Sequence, residues 1–252
     1  MKKQSLFLSI IGLLASLSLS AQSNQELYTK GLQCKKDVNY KEGIAVFQQL
    51  MKADSGNVDY LQNGSFFYSR YGRTLPANQQ MSYYLTAEYL AKKAIKADKN
   101  NAECHYVYAL ALGRINENAS SKQKIANAKL IKSELDIALK INPKHAGAYH
   151  ILGRWNRTIA GFGAIEKLAI NTLYGGVPPG GSYEDAIKCF TQAVILEPKY
   201  KMHQYELANT YDEMGKKAEA KVWLQKATAL PIISVDDESA HEKCKELAIK
   251  LK

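Results

Sequence analysis

Cysteine, proline and long apolar runs are all scarce in this chain, and each shortage excludes a class. The four cysteines (Cys34, Cys104, Cys189 and Cys244) form no Cys-x-x-Cys pair, which removes the common zinc and thiol-redox motifs. Their spacing resembles no disulfide framework, leaving buried free thiols or one long-range bridge. Six prolines and 16 glycines in 252 residues are too few for a collagen-like or low-complexity chain. Beyond residue 19 no run reaches the roughly 18 apolar residues that a spanning helix needs. His-Glu-x-x-His, Gly-x-Ser-x-Gly and the phosphate-binding Gly-x-x-x-x-Gly-Lys are also missing, so zincin, hydrolase and nucleotide-loop chemistry have no carrier. The five histidines are thinly placed. His241 and Cys244 share a helix face, as His145 and His150 do more loosely, yet a metal site needs three or four converging ligands. No metal, no cofactor and no enzymatic activity are therefore expected.

The start of the chain has its own layout. Lys2 and Lys3 precede an apolar stretch from Leu6 to Leu19, and small residues follow at 18–23. That is the pattern of a cleaved secretory signal peptide, here assigned to residues 1–23. The first cysteine is Cys34, too far on for a lipoprotein. A bacterial-type export signal implies a periplasmic or secreted mature chain. Losing Lys2 and Lys3 lowers the formal charge of +10 by two. The remaining lysines are spread over nearly every predicted helix, and the densest run (Lys122, Lys124, Lys129, Lys132) is interrupted by apolar residues. Solvated helix faces account for this better than a nucleic-acid surface, so no nucleic acid is expected.

The mature chain repeats, which outranks every other signal. From Lys201 to Pro231 it reads Leu207-Ala208, Tyr211, Gly215, Ala220, Leu224, Ala227 and Pro231. This is the tetratricopeptide pattern, in which small residues let two helices approach and large ones fill the gaps between them. The second-helix signature recurs at Gly43/Phe47/Leu50, Ala87/Ala91/Ala94, Ile131/Leu135/Ala138 and Ala186/Phe190/Ala193. First helices precede each, with small residues at Gly31, Ser65, Ala109 and Gly153. The expected fold is all-α: a right-handed α-solenoid with repeats over about 24–57, 58–101, 102–145, 146–200 and 201–233. A capping helix over 234–252, opened by Ser234 with Asp237 three residues on, closes it.

The spacing between the paired crossing positions is 12 in the first and last repeats, 22 in the second and third (where Ile131 takes the second position of the third), and 33 in the fourth. The extra residues fall between the two helices of a repeat. Those of the second and third are expected as longer helices or loops near Pro76 and residues 116–121. In the fourth, Ile159, Phe162, Ile165, Leu168, Ala169 and Leu173 predict a short amphipathic helix, followed by a Gly/Pro-rich turn to Gly181.

The run Lys124-Ile125-Ala126-Asn127-Ala128, Asn142-Pro143, Gly153-x-Trp155, Pro178-Pro179, Tyr183-Glu184-x-Ala186-x-x-x-Phe190 and Trp223-Leu224-x-Lys226-Ala227 resembles the regulator of microtubule dynamics proteins. The resemblance covers about Tyr83 to Pro231. It implies the wide-spaced tetratricopeptide array and a non-enzymatic role, and animal members of the family are described as microtubule-associated. The export-type start replaces their organelle-targeting or membrane-anchoring one, so the microtubule partner is not carried across, and no site residue is transferred.

From the residues alone the expected function is a monomeric, non-catalytic scaffold of the cell envelope, holding an unidentified protein or peptide in its concave groove. By repeat position the groove is predicted to be lined by Gln62, Phe66, Tyr106, Leu110, His150, Arg154, Tyr205 and Asn209, a mix of aromatic anchors and amide or charged hydrogen-bonding groups. The same stripe could instead pack against the neighbouring repeat. The alternative function is a peripheral membrane-surface adaptor, in which the insertion 157–181 and the lysine-rich faces meet anionic lipid.

Overall fold

The computed structural model describes residues 23–252 apart from 175 and 177. The leader expected over 1–23 therefore lies outside the described residues but for Ser23. Twelve helices and no strand occur among the described residues: α1 (23–36), α2 (Tyr40–Ala53), α3 (Val58–Gly72), α4 (Ala77–Ala97), α5 (Ala102–Asn116), α6 (Ser121–Ile141), α7 (Ala146–Gly161), α8 (Ala164–Tyr174), α9 (Tyr183–Leu196), α10 (Lys201–Glu213), α11 (Lys217–Ala229) and α12 (Val235–Lys250). They pair as α1–α2, α3–α4, α5–α6, α7–α9 and α10–α11, stacked into a right-handed solenoid, and α12 packs on α10 and α11.

Local chemistry sets the helix limits. Asn39, Asn57, Asn101, Ser120, Ser182 and Ser234 each accept a backbone N–H of the following first turn through their side chains, satisfying donors that have no partner inside the helix. At the other ends, Asp54, Asp98, Asn142 and Glu197 turn into extended or non-helical backbone while still donating to Leu50, Ala94, Ala138 and Ala193. The additional residues of the second and third repeats go into helix rather than loop. α4 and α6 have 21 residues each against 14 in α2, and begin just after Pro76 and Ser120.

The amphipathic helix expected across Ile159 to Leu173 is in fact divided. Ile159 belongs to the end of α7 and is buried, the chain leaves the helix at Phe162, and α8 starts at Ala164. Ile165, Leu168 and Leu173 stand on α8 with 85%, 67% and 67% of their surface exposed.

Packing follows the small-against-large rule. A methyl group built on Gly43 would meet the Phe67 ring at 2.2 Å, and one on Gly153 would meet the Phe190 ring at 2.7 Å. Phe67 cannot retreat, because it is fully buried and stacked on Phe47 with ring centroids 5.5 Å apart. One continuous core runs from Cys34 to Ile159, whereas α10, α11 and α12 have their own, smaller one. Cys34, Cys104 and Cys244 are buried free thiols, and Cys189 is a half-buried one.

Between these cores a small apolar cluster joins Ala186 and Phe190 of α9 to Leu207 of α10, while the contact of α7 with α10 is polar. The Nδ1 atoms of His150 on α7 and His203 on α10 lie 2.9 Å apart, so one ring donates and the other accepts. Beside them Arg157 pairs with Glu206 at 2.6 Å. Lys201 is wholly buried and donates to the carbonyls of Ala227 (3.0 Å) and Leu230 (2.5 Å), closing the end of α11. Nothing in the repeat pattern marks that lysine.

Two predictions follow from this packing. Gly43→Ala should lower stability by about 1–3 kcal/mol through overpacking, despite the higher helix propensity of alanine. Gly113→Ala, where an added methyl meets nothing within 4 Å, should instead raise it by up to about 1 kcal/mol. Urea unfolding of the two variants checks both signs. The second concerns pH. Burial, then the His203, Arg154, Arg70 and Arg157 charges, hold the His150 imidazole well below its ordinary 6.5. The unfolded chain therefore binds the proton more readily, so stability is complete above about pH 6.5 and is lost as pH falls below it. Burial would raise the Glu103 carboxyl, but the His145 hydrogen bond and the Lys35 charge outweigh it and hold it at about 2. Its contribution is thus present above the ordinary 4.5 and lost only as pH falls toward 2. His150→Gln should flatten the upper part of the stability–pH curve and leave the lower part in place.

Candidate partner-binding groove

The structure separates the eight residues predicted to line the groove. Gln62, Phe66, Tyr106 and Leu110 are buried, at 8%, 7%, 5% and 7% exposure, so they offer little surface to a partner. Their stripe is the seam along which successive first helices meet. Gln62 accepts from Cys104 Sγ across α3 and α5 at 3.5 Å. Tyr106 covers Gly147 at the start of α7, His150 meets His203 on α10, and Lys243 of α12 lies over the Tyr205 ring. His150 and Tyr205 are consequently half-buried. Asn209, also half-buried, donates to Glu213 at 2.9 Å, and Arg154 stands out with 47% of its side chain exposed. The difference is axial. Arg70 and Arg114 lie four residues after Phe66 and Leu110, as Arg154 and Asn209 lie four after His150 and Tyr205, about one turn further along the same helix face.

An open stripe there passes Arg70 and Arg73 at the end of α3, Gly113, Arg114 and Glu117 at the end of α5, Arg154 and Arg157 on α7, and Asn209 and Glu213 on α10. Arg114 is 6% exposed and pairs with Glu117 at 3.0 Å. Burial lowers its pKa, Glu117 opposes that, and the charges of Arg154, Arg73 and Arg70 lower it further. Positive charge is therefore concentrated here. Sequence reasoning singled out only Arg154 and Asn209 of this set. The missed signal was residue type, because the chain uses arginine at positions 70, 73, 114, 154 and 157 and lysine everywhere else.

The N-terminal end of α12 closes one side. Asp236, 8% exposed, accepts from Tyr40 Oη at 2.6 Å and from Arg70 Nη1 at 3.3 Å. Tyr200 donates to the same carboxylate at 3.5 Å, and Arg73 reaches Ser239 at 2.8 Å. The first and last parts of the chain thus touch across the concave side. Below this contact lies a cleft of about 770 Å³ whose walls include Lys36, Val38, Glu197, Tyr200 and Ile233. Among the described residues no three His, Cys, Asp or Glu side chains converge as metal ligands, and no helix is long and apolar enough to cross a membrane.

Comparison with known proteins agrees with this architecture. Among solved structures, a thermophilic tetratricopeptide protein of Thermus thermophilus superposes with a TM-score of 0.64 at 16% identity, covering 90% of this chain and 99% of that one. Regulator of microtubule dynamics protein 3 of Bos taurus is 30% identical over 179 residues, which are 71% of this chain and 38% of that protein. Regulator of microtubule dynamics protein 1 of Bos taurus is 31% identical over 165 residues, 65% of this chain and 51% of that protein. The chain thus spans about half or less of the length of these curated relatives. The family model described as regulator of microtubule dynamics protein 1-3 matches residues 22–252, and the chain belongs to that family.

Proposed function

We propose that this protein is a non-catalytic scaffold that holds a protein or peptide partner on the concave side of its solenoid. The observation that carries this reading is the open polar stripe on successive first helices. Arg73, Arg154 and Asn209 present hydrogen-bonding groups there without a nucleophile and base placed to react. Rigid helices hold these groups, which suits recognition of an extended chain. The basic, apolar N-terminal segment supports placing the scaffold in the cell envelope. The names of the relatives refer to microtubules, and an envelope location gives this chain a different client.

A second reading rests on α8. Its exposed Ile165, Leu168 and Leu173 would suit insertion into a membrane surface, with nearby lysines meeting anionic headgroups. Removing 157–181 would also remove buried Ile159 and the Arg157–Glu206 pair, so substitution on α8 is the cleaner probe.

Affinity capture from an envelope fraction with wild-type protein and with Arg154→Ala/Asn209→Ala tests the first reading. One or a few proteins should be enriched by the wild type and lost with the double variant at unchanged helicity. Equal capture by both forms would remove the groove. Ile165→Glu/Leu168→Glu should leave that capture intact, and if it abolishes salt-sensitive binding to anionic vesicles instead, the membrane reading takes over.

A further inference from the structure

The five arginines all lie on first helices or at their ends, at the open stripe, while every second helix carries lysine as its only strong cation. A guanidinium presents a planar fork of donors that matches a carboxylate, which an ammonium does not. The carboxylates within the protein do not satisfy this set. Asp236 takes Arg70 and Glu117 takes Arg114, while Glu206 and Glu213 both take Arg157. Arg73 reaches Asp236 only at 4.0 Å and Arg154 reaches Glu206 only at 3.7 Å, longer than a charge-assisted hydrogen bond. Arg114 Nε is buried with no hydrogen-bond partner. Beside it, a methyl placed on Gly113 would enter open space. A cation-rich, incompletely paired strip therefore borders an unfilled part of the groove.

We propose that this strip binds an acidic peptide segment, its carboxylates taken by the partly exposed Arg73 and Arg154 while the buried Arg114 between them adds positive charge from beneath; this deepens the scaffold reading and rests on it. Spacing favours a peptide over a single phosphate or headgroup. Neighbouring packed helices stand about 10 Å apart, and three residues of extended chain advance about 10 Å. Arg73 at the end of α3 and Arg154 on α7 are two such steps apart, so carboxylates about six residues apart, on one face of an extended chain, would meet both, whereas a single small anion would satisfy one.

The test uses a fluorescein-labelled peptide of five Glu-Gly-Ser repeats and its Gln-Gly-Ser counterpart, followed by anisotropy at low and moderate salt. Wild-type protein should bind the glutamate peptide, more weakly as salt rises, and should not bind the glutamine peptide. Arg73→Gln/Arg154→Gln, both at partly exposed positions, should weaken binding tenfold or more at unchanged helicity. Arg73→Lys/Arg154→Lys should recover only part of it, because charge returns without the fork. Failure of the wild type to bind the glutamate peptide, or unchanged binding in the glutamine double variant, would overturn the proposal. So would Arg73- and Arg154-dependent binding to phosphatidylserine vesicles with no peptide binding. Equal binding of both peptides would overturn acidic selectivity and leave the scaffold reading standing, which separates the two failures.

Discussion

One buried carboxylate, Asp236, links the two ends of the solenoid. It accepts from Tyr40 and Arg70, elements at the start of the chain, and is itself the second residue of the last helix. Taking such a pair from water is costly, and the pair holds only when further hydrogen bonds complete it. Here the two tyrosine hydroxyls, from Tyr40 and Tyr200, do so. A stack of helix pairs has no intrinsic reason to bring its ends together, because each repeat touches only its neighbours. This contact fixes a curvature that the repeats alone leave free, and with it the width of the concave side on which the arginines lie.

The helix pairs were legible in the sequence because small and large residues recur at positions where helices cross. Gly43 beneath Phe67 and Gly153 beneath Phe190 are the physical counterparts of that pattern. Ser234 and Asp237 were readable in the same way, and Ser234 does cap α12 by accepting from the Asp237 N–H. Asp236 was not. An acid beside a helix start is explained by the helix dipole, and nothing local shows that Tyr40 and Arg70, its partners, lie 196 and 166 residues earlier in the chain.

The groove was harder to read for a different reason. Repeat position identifies which helix face points inward, but the seam between neighbouring first helices and the polar groups beyond it lie on that same face, one turn apart along the axis. Phe66 and Tyr106 fell on the seam, and Arg154 and Asn209 at its open margin. The choice between arginine and lysine is a separate signal, since a planar fork of donors differs from an ammonium wherever it sits on the helix. Likewise the insertion showed its apolar spacing, yet the break at Phe162 sends half of that pattern into the core and leaves the other half on exposed α8.

The closed curvature is the claim on which the groove depends, and small-angle scattering of the wild type beside Asp236→Ala tests it most directly. The closed form predicts a compact wild-type profile, and a larger radius of gyration and maximum dimension for the variant at unchanged helix content. An already extended wild type, or identical profiles for both proteins, would contradict it.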